Sequence, residues 1–144
     1  MKPVVVDDAR NIFSQVPFMR LLDVKREFSA DGRARLVVEA RPELGNVIGA
    51  VHGGVVATLV DVAMASAAVS KIDFRQTAVT LNLATSFLEP GQGRLVADGE
   101  YLHDDGGVVW CRAVVTDARD RVVARAQGSF RFVPLPRQPQ KETP

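Results

Sequence analysis

A chain of 144 residues, 47% hydrophobic and 24% charged, fits one soluble globular domain that can bury a core without disulfide or metal staples. Its formal net charge of +1 argues against a dedicated nucleic-acid binder, because phosphate contacts draw their affinity from clustered cations that release counterions. A single cysteine, Cys111, excludes an internal disulfide framework, and two histidines, His52 and His103, are too few for a closed zinc site.

The first eight residues lack the apolar core of about 7–15 residues and the cleavage site of a secretory signal, so a reducing, cytoplasmic setting is expected. Ile12, Phe13, Val16, Met19 and Leu22 recur at spacings near three and four, which predicts a short helix over about 7–22, interrupted at Pro17. Two alternating runs follow, residues 24–29 and 33–41, split by Asp31-Gly32, a strong hairpin signal. In the second run Ala34, Leu36, Val38 and Ala40 alternate with Arg33, Arg35, Val37, Glu39 and Arg41, so one face is wet.

Residues 42–51, with Gly45 and Gly49, read as a loop. From there to about residue 70 the chain is apolar on nearly every side and rich in alanine, which predicts a central helix over about 53–70 wrapped by other structure. His52, Gly53, Gly54 and Asp61 interrupt the stretch 47–70, making it a poor membrane span and a good buried helix. Four β-like runs follow, residues 77–88, 93–103, 108–117 and 122–133, separated by turn-forming segments, and their regular spacing predicts an antiparallel meander. Helix, hairpin, long buried helix and four strands make an α+β fold with a helix enclosed by a curved antiparallel sheet. Pro134, Pro136, Pro139 and Pro144 mark residues 134–144 as a proline-rich flexible tail outside the single domain of residues 1–133.

One segment carries the chemistry. Asn46-Val47-Ile48-Gly49-Ala50-Val51-His52-Gly53-Gly54 enters the central helix, which then contains Asp61. Gly53 and Gly54 lie where backbone N–H groups lack intrahelical partners, and without side chains they admit a ligand carbonyl. The helix dipole adds partial positive charge at the same point, favouring a developing oxyanion. Asp61 is the one ionisable residue between His52 and Lys71, and a carboxylate among apolar neighbours needs a hydrogen bond, a polar cavity or a raised pKa. It is a base or nucleophile for the held carbonyl, or else a buried carboxylate capping a backbone or paired with an arginine. Gly53 and Asp61 are separated by eight residues, about 12 Å along a helix, far beyond the roughly 3 Å of general-base geometry. If both serve one reaction, the carboxylate must come from a second subunit across a two-fold axis, and a homodimer with shared sites is expected.

Asn46, Gly49, His52-Gly53-Gly54 and Asp61, followed by Thr77-Ala78-Val79-Thr80-Leu81-Asn82-Leu83 and the strand end Phe87-Leu88-Glu89-Pro90-Gly91, resemble the PaaI-like branch of the hotdog-fold acyl-CoA thioesterases. The resemblance runs from the N-terminal helix to Val133. It implies a long helix as the sausage and the antiparallel sheet as the bun, dimers joined edge to edge, and dimers paired into homotetramers. It further implies that Asp61 is the catalytic carboxylate, that Gly53 or Gly54 donates to the thioester carbonyl, and that Asn46 and His52 position the thioester or the water. Thr80 matches a position where relatives carry a hydroxyl near the attacking water, with Thr77 as the alternative. The implied substrate is an acyl-CoA, coenzyme A entering as part of the substrate, with no metal or other cofactor and neither nucleic acid nor membrane as partner. A non-catalytic acyl-CoA-binding protein, and less so a hydratase or dehydratase of the same fold, are the alternatives.

Other residues have plainer accounts. Asn46 in a glycine-rich loop also suits a turn stabilised by its side chain. His103 beside Asp104-Asp105-Gly106-Gly107 reads as an exposed turn residue, and Cys111 as core. Ser129 has no Gly-x-Ser-x-Gly elbow, and Gly91-Gln92-Gly93 lacks the features of a dinucleotide loop. Arg119, Arg121, Arg125 and Arg131 suit either coenzyme A phosphates or a solvated strand face.

Overall fold

The computed structural model describes residues 1–137. Its first elements are shaped by one proline. A 3₁₀ segment, Ala9–Gln15, is capped by the Asp8 side chain, which accepts the Arg10 N–H at 2.9 Å, and a short helix α1 runs over Pro17–Leu22. The interruption expected at Pro17 divides the segment into these two pieces, the first of which is 3₁₀ rather than α-helical. Val16 is held extended at φ −67° and ψ 118°, because the ring of a following proline crowds a helical residue. Pro17 itself suits the first turn of α1, where no N–H is needed.

Strands β1 (Lys25–Ala30) and β2 (Arg33–Glu39) form the predicted hairpin. Asp31 (φ 49°) and Gly32 (φ 80°) both take the left-handed conformation that matches a two-residue turn to strand twist. Strands β3 (Thr77–Phe87), β4 (Arg94–Asp104), β5 (Val109–Thr116) and β6 (Val122–Val133) complete one antiparallel sheet in the order β1-β2-β4-β5-β6-β3.

The four-strand meander is thus correct only for β4, β5 and β6. β3 pairs with β6, from Thr77↔Val133 to Phe87↔Ala124, while β4 pairs with β2. The segment joining β3 to β4 is a crossover whose carbonyls are committed elsewhere: Gly91 accepts from Val51 N at 2.9 Å and Gly93 from Ala40 N at 3.0 Å. β3 is left as an edge strand of eleven residues, with Val79 and Leu81 exposed.

The central helix α2, Gly53–Lys71, lies across the inner face of this sheet. Val55, Val56, Leu59, Val60, Ala63, Met64, Ala67 and Ala68 are buried, a three-to-four-residue repeat that makes one helical face. Each large apolar side chain in that stripe contributes about 1.5–3 kcal/mol relative to exposure. The sheet meets the helix with small residues, Ala97 and Gly99 on β4, Ala113 on β5, Ala126 and Gly128 on β6. At Gly99 the approach is backbone to backbone: a Cβ there would lie 2.2 Å from the Ala63 carbonyl oxygen. By length and composition α2 would also pass for a membrane span, yet more than half of its apolar window is buried inside the chain.

The sheet does not wrap α2 on every side. Ala57, Thr58, Asp61, Val62, Ala65 and Val69 stay only half-buried within the single chain, so the helix apolar all round has one flank that the sheet covers incompletely. Past β6, residues 134–137 take no regular secondary structure, and the remainder of the expected tail, residues 138–144, lies outside the described residues.

Gly99→Ala must displace helix backbone, so it is expected to lower unfolding free energy by about 1–3 kcal/mol or more. Gly107→Ala, where a Cβ meets nothing closer than Asp105 Oδ1 at 3.6 Å, should stay within about 0.5 kcal/mol of the parent. Urea denaturation of the two variants makes the comparison.

Candidate active site

The loop before α2 is built by Asn46. Its Oδ1 accepts the N–H groups of Ile48 at 3.1 Å and Ala50 at 3.0 Å, and its own N–H reaches Ala50 O at 2.8 Å. Gly49, at φ +76°, completes a turn that a side chain would strain. The carbonyl of the Asn46 side chain is thereby used to shape the loop, which is the plainer account of this residue. Its NH₂ group has no partner among the described residues. The loop lifts Val47 and Ile48 into solvent.

His52 is the N-cap of α2, and its Nδ1 accepts the Gly54 N–H at 2.9 Å. An accepting Nδ1 means that the proton of a neutral ring sits on Nε2. This bond decides between the two glycines. Gly54 cannot offer its N–H to a ligand while His52 holds it, so Gly54 is corrected from candidate donor to capped residue. Val55 and Val56 donate to His52 O at 2.9 and 3.3 Å. The Gly53 N–H has no acceptor among the described residues, and it stands at the positive end of a nineteen-residue helix.

Beside Gly53 lies a groove of about 320 Å³ whose lining is mostly apolar, with Ile48, Val51, Val56, Phe87, Leu88 and Val123, and which also includes Pro90, Gly91 and the polar Asn46 and Glu89. The Phe87 ring sits 3.6 Å from where a Cβ of Gly53 would be. Phe87, Leu88 and Ile48 are all exposed large apolar residues, gathered beside the open Gly53 N–H. Phe87 was missed as a site residue by sequence reasoning. The available signal was its place at the end of the quoted Phe87-Leu88-Glu89-Pro90-Gly91 segment.

Asp61 lies two turns further along α2 on its half-buried flank. Thr80 Oγ1 donates to Asp61 Oδ1 at 2.6 Å, while Oδ2 has no partner among the described residues. No arginine or lysine pairs with Asp61 among those residues either, which removes the ion-paired account of it. Register settles the choice between the two threonines: Thr77 opposes Val133 at the far end of β3, and Thr80 stands where the strand meets Asp61. A β-bulge between Thr80 and Asn82 shifts the β3–β6 register at this point, and bulges re-aim side chains in this way.

Of the arginines, Arg121 belongs to neither account offered for it. It pairs with Asp117, whose side chain is fully buried. Burial alone would raise the Asp117 pKa, but hydrogen bonds from the Arg121 guanidinium and from the Arg119 and Arg121 N–H groups outweigh it and hold the carboxyl below the usual range. Cys111 is core, its thiol pushed up to about 12 by burial, and His103 is exposed opposite Trp110 in β4. No cluster of three metal-ligating side chains occurs among the described residues.

A family model described as thioesterase superfamily matches residues 48–124. A Halobacterium salinarum protein named as an esterase is 34% identical over 124 residues, covering 78% of this chain and 82% of the relative. Among solved structures, a Mycobacterium tuberculosis protein also named as an esterase is 27% identical, with a TM-score of 0.76 over 85% of this chain and all of that one. The PaaI protein from the E. coli phenylacetic acid degradation operon has a TM-score of 0.80, covering 89% of this chain and 92% of its own, at 20% identity. It shares the hotdog arrangement of one long helix on an antiparallel sheet.

His52→Ala removes the N-cap acceptor and is expected to cost about 0.5–2 kcal/mol of stability. His52→Asn, which keeps an N-cap acceptor, should recover most of it. Thermal denaturation of the two variants beside the parent tests the capping role.

Proposed function

The chain belongs to the thioesterase superfamily, and from that premise we propose that it is an acyl-CoA thioesterase, hydrolysing an acyl or aryl-acyl thioester to free coenzyme A and a carboxylic acid. The observation that carries this reading is the unpartnered Gly53 N–H, which opens beside an apolar groove at a helix N-terminus. A thioester carbonyl accepts from that N–H, and its apolar acyl group lies against Phe87, Leu88 and Ile48. As water attacks, negative charge grows on the carbonyl oxygen, where a fixed donor and a helix dipole stabilise it most.

The Asp61 carboxylate is the proton acceptor. Thr80 occupies Oδ1 and leaves Oδ2 to take the proton from water as the new C–O bond forms. Collapse of the tetrahedral intermediate breaks the C–S bond. The proton then passes from Asp61 to the departing thiolate, giving the free thiol and the carboxylic acid.

Two groups about 12 Å apart on one helix cannot meet at one carbonyl, so each site takes Gly53 from one subunit and Asp61 from another. Two features support a homodimer, itself pairing into a tetramer. β3 offers an unpaired edge of eleven residues, and the α2 flank bearing Asp61, Val62 and Ala65 is only half-buried within one chain. β3 also touches both halves of the chemistry, Asp61 through Thr80 and Gly53 through Phe87. Antiparallel pairing of β3 with its copy, centred near Leu83–Ala84, sets the Thr80 end of one strand opposite the Phe87 end of the other.

Free-thiol release is expected on at least one member of a panel of short, medium, long and aromatic acyl-CoAs, with Asp61→Asn slower by on the order of 10²–10⁴-fold. No turnover on any of them, or full activity in Asp61→Asn, refutes the reading.

Gly53→Pro deletes the donor alone. Position N1 of a helix accepts proline, and His52 already has ψ 138°, as a residue before proline requires. This variant should fold and lose on the order of 10²–10³-fold in kcat. Mixed one to one with Asp61→Asn and allowed to exchange subunits, it should regain about a quarter of parental activity, since half the dimers carry one intact site of two. Demonstrated exchange without rescue rules out the shared site.

A further inference from the structure

One ion pair outside the groove is connected to the helix start by two hydrogen bonds joined through short stretches of backbone. Asp117, at the end of β5, has a side chain with no solvent exposure. Its Oδ1 accepts the N–H groups of Arg119 at 2.9 Å and Arg121 at 3.1 Å, closing the turn into β6. Its Oδ2 accepts Arg121 Nε at 3.1 Å and Nη2 at 2.7 Å. Held by this fork, the guanidinium also reaches into the β3–β4 crossover, where Nη2 donates to Pro90 O at 3.0 Å. The next carbonyl, Gly91 O, accepts Val51 N at 2.9 Å. Val51 lies two residues before Gly53, and His52 between them is tied by its own N–H to Leu44 O at 2.7 Å.

A second bond ties the same turn to the crossover, from Ala118 N to Gln92 O at 3.3 Å. Gly93 has no room to drift: with φ +67°, a Cβ on it would lie 2.8 Å from that of Ala118. Pro90, Gly91 and Val123 also line the groove. Arg121 therefore bears on both things an acyl thioester would meet, the direction of the Gly53 N–H and the width of the groove.

We propose that the Asp117–Arg121 ion pair is a positioning device for the Gly53 donor, acting through Pro90, Gly91 and Val51. The proposal rests on the thioesterase reading, since it assigns Arg121 to that reaction. Arg121 touches no substrate; it is a positioning residue. Its planar fork fits the task better than an ammonium, because it grips Oδ2 and Pro90 O together in fixed geometry.

The test uses Arg121→Gln and Arg121→Lys in the full chain, at a temperature where denaturation curves show each fully folded. A merely structural role then leaves kcat unchanged, since all of the protein is native. The positioning role predicts kcat lowered tenfold or more in Arg121→Gln and less in Arg121→Lys, with KM within twofold of the parent. It also predicts amide hydrogen exchange at Val51 at least tenfold faster, with protection elsewhere in the sheet unchanged. Should Arg121→Gln fail to fold, Asp117→Asn carries the same comparison, because it keeps an acceptor for the turn while weakening the hold on the guanidinium. A folded variant with kcat within twofold of the parent, or with unaltered Val51 exchange, overturns the proposal. Absence of turnover in the parent protein refutes the thioesterase reading, and Val51 exchange then still decides whether Arg121 governs the helix start.

Discussion

The close crossing of α2 over the sheet at Gly99 is the contact on which everything else depends. A Cβ at that position would lie 2.2 Å from the Ala63 carbonyl oxygen, so helix and strand backbones are packed with nothing between them. Interiors at this density transmit displacement rather than absorb it. Small residues on three strands let the helix sink, and its larger side chains, Val56, Leu59, Val60 and Met64, then fill the space to either side. With the helix axis fixed in this way, its first residue opens beside the groove under Phe87 and its flank brings Asp61 to Thr80.

The site emerges by subtraction. Polar groups at a helix start find partners wherever the chain allows, and here nearly all do. Asn46 Oδ1 takes two N–H groups of its loop, His52 Nδ1 takes Gly54, and His52 O takes Val55 and Val56. Among the groups left without a partner in the described residues are the Gly53 N–H and the Asn46 NH₂ at one end of the helix and Asp61 Oδ2 at its middle. Neither the helix alone nor one copy of the chain brings Gly53 and Asp61 together, and the strand that touches both, β3, is one of the two edge strands of the sheet.

Much of the architecture was legible because short-range rules produce it. Asp31-Gly32 had to be a hairpin turn, since few other dipeptides accept two left-handed residues in succession. The apolar run after His52 had to be a buried helix, and Pro17 had to break the N-terminal one. His52-Gly53-Gly54 and Asp61 also stood out as candidates, because a lone carboxylate in an apolar helix and a pair of glycines at its start are both costly unless they have uses.

Other features were out of reach for a common reason. Placing β3 beside β6 rather than β4 goes with a crossover whose Gly91 and Gly93 carbonyls are taken by the distant Val51 and Ala40, partners that local spacing does not express. The partition between Gly53 and Gly54 turns on one rotamer of His52, and that between Thr77 and Thr80 on strand register. Arg121 looked like any surface arginine until the fold brought it to the buried Asp117 and to Pro90. By itself the sequence determined which elements form and which residue types stand at the helix start, because these follow from neighbours a few positions apart. Only the tertiary structure decided which N–H is left open, which hydroxyl meets Asp61 and which flank of the helix is covered incompletely. Those depend on contacts between segments tens of residues apart, whose pairing is chosen by packing of the whole chain.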